Sequence, residues 1–215
     1  YGRRQRQMCI RDRYSIDKDL CKRLIEFFKS VPMGTNTPYY RKLQGQVGAN
    51  QVIKSIKDST DLTFSNKLIL RIGDINILPQ NAAASKAIND YVKALTACMI
   101  KFKIKYPYCI PDGSEVKLIE DISLQHYKPK GGYHRYHFER SADFKPISTR
   151  HLVFMTYLNT VTDKGGTEFY HQEITTDAVE GNTVIWSSDW THTHRGVPSP
   201  TQDKYIITGW YNLVT

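Results

Sequence analysis

The residues able to do chemistry lie between Tyr127 and Lys204. His137 and Glu139 stand two positions apart, His194 follows about 55 residues later, and Lys204 lies ten positions beyond His194. A His-x-acid pair followed by a distant His is the spacing of a 2-His-1-carboxylate triad, which holds Fe(II) and leaves one face of the ion open. A cation shortly after the second His suits a co-substrate that ends in a carboxylate. The pattern points to oxygenase chemistry.

Each part of that pattern is weak alone. On a strand, residues i and i+2 leave the same face, so His137 and Glu139 would converge on one point, but pairs of this kind also arise by chance. An imidazole with a carboxylate suits Fe(II), Mn(II) or Zn(II), and the absence of thiolates from the pair argues against a structural zinc site. His192 and His194 are again i and i+2, so parity cannot choose between them; the ten-residue distance to Lys204 favours His194 and leaves His192 a supporting role. His134 is i−3 from His137 and faces away from it. Lys204 opens an apolar strand, Lys204 to Tyr211, where an ammonium is costly unless it finds a partner. A bound dicarboxylate would be that partner.

The elements that must position these residues read as follows. Asp17 to Lys29 has helical spacing of apolar residues, with Asp17 as the N-cap. Gly34 to Gly48 is polar and reads as a loop; its Tyr39, Tyr40 and Arg41 are candidates to cover the site. Leu62 to Leu78 is ambiguous: Leu68 to Ile72 fits a buried strand, whereas Ser65 onward also fits a helix. Ser85 to Tyr106 is an amphipathic helix that faces the core through Ile88, Tyr91, Val92, Leu95, Met99 and Phe102. Beyond Pro111-Asp112-Gly113 the period becomes alternating. Strands are predicted at 117–127, 132–139, 150–159, 167–171, 183–187, 191–196 and 204–212, separated by Gly- and Pro-rich turns. The fold class is therefore mainly β with N-terminal helices: a double-stranded β-helix (jelly roll) packed against supporting helices. Residues 14–215 form one domain, with helical support over 14–112 and a catalytic core over 113–215.

The formal charge of +9 invites a nucleic-acid reading, but five Arg and one Asp between Tyr1 and Arg13 account for +4 of it. This prefix has no hydrophobic periodicity, and its MCIRDR string resembles a translated sequencing adapter. It reads as non-native or disordered; a genuine basic arm is the other reading. The remaining charge is unremarkable, and nucleic acid is not an expected partner. No apolar run approaches the roughly 20 residues that span a bilayer. Cys9, Cys21, Cys98 and Cys109 form no CxxC pair, which predicts reduced thiols in a cytoplasmic protein.

Taken together, the segment from Tyr127 to Tyr211 resembles the prolyl 4-hydroxylase-like branch of the 2-oxoglutarate and Fe(II)-dependent dioxygenases. Tyr127, the Gly131-Gly132 turn and His137-Phe138-Glu139 match the family's opening block. Tyr157-Leu158-Asn159, then Gly165-Gly166-Thr167-Glu168-Phe169, then His194, Lys204 and Ile207-Thr208-Gly209-Trp210-Tyr211 follow in the family's order. The resemblance implies that His137, Glu139 and His194 bind Fe(II) and that Lys204 pairs with the distal carboxylate of 2-oxoglutarate. Tyr127 and Tyr157 would contact that co-substrate, and Thr208, on the face of Lys204, could hydrogen-bond it. The implied reaction hydroxylates a C–H bond with O2 while 2-oxoglutarate is decarboxylated to succinate, with ascorbate as reductant. A peptidyl-proline is the family's default substrate; a small molecule is the other. One departure stands out, Glu139 where the family usually has Asp. A non-catalytic jelly-roll binding or structural module with a degenerate metal site is the competing reading, and Glu139 is its only cue.

Overall fold

The computed structural model describes residues 14–48, 50–70 and 82–214. Two helices do most of the supporting. Helix α1 (Lys18–Ser30) starts where Asp17 Oδ1 accepts the backbone N–H groups of Asp19 and Leu20 at 2.8 and 3.1 Å, two of the donors a helix start leaves unpaired. It buries Leu20, Cys21, Leu24 and Phe28. After the short α2 (Asn66–Leu70), α3 (Ala82–Lys105) buries Ile88, Tyr91, Leu95, Met99 and Phe102 on one face, with Val92 partly buried beside them.

The strands are β1 (Tyr14–Ser15), β2 (Tyr40–Gln44), β3 (Thr60–Phe64), β4 (Glu115–Lys117), β5 (Ile122–Tyr127), β6 (Arg150–Tyr157), β7 (Thr167–Phe169), β8 (Ile174–Thr175), β9 (Asn182–Ser187), β10 (His194–Gly196) and β11 (Lys204–Val214). Eight of them form one antiparallel sheet in the order β1-β9-β6-β11-β5-β3-β2, with β4 also paired to β11. A smaller sheet, β10-β7-β8, faces it. This is the predicted jelly roll with its helical support.

Alternation along the large sheet makes two cores. Phe154, Ile185, Tyr205, Ile207 and Tyr211 point toward the helices and pack with Leu24, Tyr91 and Leu95. Val153, Met155, Tyr157, Val184, Trp186 and Ile206 point inward and meet Phe169 of the small sheet. At Gly209 a Cβ would lie 2.6 Å from the Phe154 ring, so the ring can fold across the strand only because no side chain is there. The site opens from the inner core.

Several expectations change. The run 117–127 is broken into β4 and β5. Residues 132–139 form no continuous strand. Their backbone donors go to separate partners: His134 N–H to Ile56 O (2.7 Å), His137 N–H to His194 O (3.0 Å), and Glu139 N–H to Ser188 O (3.1 Å). Residues 191–196 begin as a 3-10 turn (Trp190–His192) before β10. The polar stretch 34–48 contains β2, an edge strand whose Lys42 is buried at the end of α1, its Nζ donating to Phe28 O and Val31 O, both at 2.7 Å. In the ambiguous stretch 62–78, β3 and α2 are seen; residues 71–78 lie outside the described residues, as does the prefix 1–13. Cys21, Cys98 and Cys109 are free thiols, and Cys9 falls in the undescribed prefix. Among the described residues no helix is long and apolar enough to cross a membrane.

Candidate metal centre

His194 opens β10, and its backbone exchanges two hydrogen bonds with His137 (3.0 and 2.9 Å), an isolated antiparallel bridge. This bridge sets the two imidazoles side by side, ring centroids 4.4 Å apart. Glu139 is carried to the same point by the N–H bond to Ser188 O just beyond β9. Glu139 Oε1 lies 3.4 Å from His137 Nε2 and 3.5 Å from His194 Nε2, and one donor atom from each of the three lies within 4.8 Å of the others. Metal bonds of about 2.0–2.2 Å let donors so spaced converge on one ion.

The histidines are oriented for that task. His137 Nδ1 lies 3.0 Å from Arg135 O, and His194 Nδ1 lies 2.9 Å from His192 O. A carbonyl can only accept, so each Nδ1 carries the proton and each Nε2 keeps a free lone pair, the arrangement a metal ligand needs. His192 thus contributes its backbone carbonyl, while its own imidazole is pushed down to about 4, by burial first and then by the neighbouring His194. Tyr133 stacks on His137 at 3.9 Å, and Phe169 and Trp186 pack on His194. Burial pushes the Glu139 carboxyl up, but whenever either Nε2 takes up a proton in place of a metal ion, its hydrogen bond and charge outweigh burial and hold the group well below the usual carboxylate range.

The three side chains stand in a cavity of about 840 Å³. Lys204, Ile206, Thr208 and Trp210 line it from β11, Gln125 and Tyr127 from β5, Met155 and Tyr157 from β6, and Trp186 from β9. Lys204 is 4 % exposed. Its Nζ donates to Val197 O at 3.1 Å and lies 5.0 Å from the Tyr127 ring, with no ion pair among the described residues. Burial alone lowers it to about 8. The Trp186 indole N–H, buried beside His194, has no hydrogen-bond partner. A buried cation without a counter-ion and a buried donor without an acceptor are the marks of a site shaped for a group that brings negative charge and acceptor oxygens.

The other expected co-substrate residues all reach the cavity, with particular commitments. Tyr127 donates its hydroxyl proton to Gln125 Oε1 at 2.6 Å. Tyr157 OH lies 2.8 and 2.7 Å from the hydroxyls of Thr167 and Thr176, and burial pushes it up to about 12, so it stays protonated. Thr208 Oγ1 donates to Phe154 O at 2.8 Å, which leaves it only acceptor capacity. His134 is not among the converging ligands. Tyr39, Tyr40 and Arg41 do not line the cavity; Gln46, Val47, Gly48, Gln51, Ile53 and Ile56 border it instead. Arg140 and Arg195 pair with Asp189 and Glu168, whereas Arg135 is exposed at the rim. Thr167, Trp186, Arg150 and Trp210 are lining residues beyond the expected set. The two-residue step that carries Lys204 and Thr208 inward also carries Trp210, a signal present in the sequence; Arg150 has no local signal.

Comparison with known proteins agrees with this geometry. Residues 122–212, from the start of β5 into β11, match the 2OG-Fe(II) oxygenase superfamily. Over this segment the chain is similar to that superfamily. The fold is shared with solved prolyl hydroxylases. A prolyl hydroxylase from Trichoplax adhaerens, in complex with a hypoxia inducible factor peptide fragment, superposes at a TM-score of 0.63 with 15% identity, over 98% of this chain and 90% of that one. The viral collagen prolyl hydroxylase of Paramecium Bursaria Chlorella virus-1, bound to 2OG, gives 0.54 with 15% identity over 93% and 92%. A Pseudomonas putida prolyl-4-hydroxylase gives 0.54 with 17% identity over 94% and 90%. At these identities the likeness is one of fold. No curated protein matches this chain in sequence.

Proposed function

We propose that the protein is a 2-oxoglutarate- and Fe(II)-dependent hydroxylase, with His137, Glu139 and His194 as the metal ligands. The observation that carries this reading is the convergence of two Nε2 atoms and Glu139 Oε1 beside a buried, uncompensated Lys204. Fe(II) with bound 2-oxoglutarate would supply O2 activation, coupled to decarboxylation of the co-substrate to succinate, and the C–H oxidation that follows. The protein's part is placement. Lys204 pairs with the distal carboxylate and is held over the Tyr127 ring, while Tyr157, Thr208 and the Trp186 N–H present polar atoms along the same inner face. Trp186, Phe169 and Tyr133 shield the imidazoles from water. A peptidyl-proline is the first substrate to test, supported by the shared fold; a small molecule is the second. Ascorbate would serve as reductant for iron that oxidises off cycle.

The deciding experiment is anaerobic reconstitution with Fe(II) and 2-oxoglutarate, read as the visible metal-to-ligand charge-transfer band. His194→Ala abolishes the band, and Lys204→Ala raises the 2-oxoglutarate concentration needed to saturate it. Folded wild-type protein without a band would instead support the non-catalytic jelly roll.

A further inference from the structure

Glu139 is one methylene longer than the aspartate usual at this point of the pattern, and the structure shows what takes up the extra length. Its two oxygens are treated differently. Oε1 faces both imidazoles, at 3.4 and 3.5 Å. Oε2 is turned away and accepts from Trp210 Nε1 at 3.0 Å, with Arg150 Nη1 3.7 Å off. The same Arg150 Nη1 donates to the Glu139 backbone carbonyl at 3.2 Å, so one guanidinium holds both ends of the residue. That guanidinium lies 3.6 Å from the Trp210 ring centroid, which fixes the indole as well.

Arg150 is itself anchored. Its Nε donates to Glu120 Oε1 at 2.9 Å and its Nη2 to Glu120 Oε2 at 2.5 Å, a two-pronged pair, and Asn212 Nδ2 donates to Glu120 Oε1 at 3.0 Å. The side chains of Glu120, Glu139 and Arg150 are only 10, 14 and 14 % exposed. Two buried carboxylates share one guanidinium, and the remaining negative charge faces the imidazoles, where a cation would neutralise it.

We propose that Trp210 and Arg150, braced by Glu120, are positioning residues that hold Glu139 Oε2 outward, so that Glu139 offers a metal ion one oxygen only. This inference rests on the metal-site reading above. A glutamate has a further rotor and can turn both oxygens to an ion, filling a place the co-substrate or O2 requires. A donor fixed on Oε2 opposes that turn. At the same backbone position an aspartate carries its carboxylate about 1.5 Å nearer the chain, so it cannot put one oxygen before the imidazoles and the other at the Trp210 N–H, and the clamp is specific to the longer side chain.

The test is a double-mutant cycle on metal affinity, measured by anaerobic titration with Co(II), a probe inert to O2 activation, in the full chain. Trp210→Phe weakens Co(II) binding by about 10–100-fold in the wild-type background, and by no more than about twofold in a Glu139→Asp background. The visible d–d spectrum of the Co(II) protein, which reports coordination number, shifts in Trp210→Phe. Arg150→Lys, which keeps the charge and loses the flat fork, weakens binding in the same background-dependent way and serves if Trp210→Phe lowers the apoprotein Tm. Equal losses in both backgrounds, or none in either, overturn the clamp. A folded wild type that binds no Co(II) overturns the metal-site reading itself, and the clamp with it.

Discussion

At the scale of single residues, Lys204 makes the sharpest claim. Its ammonium is disfavoured by burial, which lowers it from 10.5 to about 8. The sign follows from linkage. Below pH 8 both folded and unfolded chains hold the proton, and the folded state bears the full cost of a buried charge. Between pH 8 and 10.5 the folded protein gives up the proton first, so this cost fades and the fold gains stability from this group as pH rises. Pairing with a dicarboxylate favours the charged form, so binding works against that trend. The expected result is that 2-oxoglutarate affinity is flat below pH 8 and weakens above it, by up to about tenfold per pH unit, in titrations from pH 7 to 9.5. Lys204→Arg, which stays charged throughout, removes the dependence; a wild-type affinity flat across the whole range would remove Lys204 from the co-substrate site.

The separate elements carry different kinds of prediction. Asp17 only starts α1 and does not line the cavity, so Asp17→Ala costs about 1 kcal/mol of stability and leaves metal and 2-oxoglutarate binding unchanged. Gly166 sits in the turn that leads into β7, where an added Cβ would lie 1.9 Å from Thr176 O. Backbone must move to admit it, at a cost of about 1–3 kcal/mol. Because Thr167 and Thr176 both hold the Tyr157 hydroxyl, Gly166→Ala also weakens 2-oxoglutarate binding. Chemical denaturation and ligand titration of the two variants separate a purely supporting turn from one that shapes the site; unchanged binding in a destabilised Gly166→Ala would detach this hairpin from the co-substrate.

For the molecule as a whole, metal and co-substrate should act as a fastener between the two sheets. His194 belongs to the small sheet and Lys204 to the large one, so a group bound to both links them. Ligand at a hundred times its Kd adds about 2.7 kcal/mol, which for a chain of this size raises Tm by roughly 5–10 °C. Scanning calorimetry with Co(II) and 2-oxoglutarate checks the shift, and His194→Ala should lose it. Deleting residues 1–13 should leave fold, metal binding and the Tm shift intact; loss of folding would show that the basic prefix is part of the protein's structure.

The sequence alone carried the helices α1 and α3, the alternating half beyond Pro111 and the jelly-roll class, because their hydrophobic periods are local. It also singled out His137, Glu139, His194 and Lys204 through spacing and order. Local pattern misled it where long-range pairing governs: the polar segment 34–48 joins the large sheet because β3 pairs with β2 and Lys42 caps α1, and 132–139 serves three separate partners instead of one. Only the tertiary structure decided how the candidate ligands are held. The carbonyls of Arg135 and His192 fix the two imidazoles, and the Trp210–Arg150–Glu120 chain fixes Glu139, drawing on residues up to 92 positions apart. Backbone carbonyls have no side-chain signature, and contacts between distant strands have no period. Such second partners are therefore written in the fold and not in any local stretch of sequence.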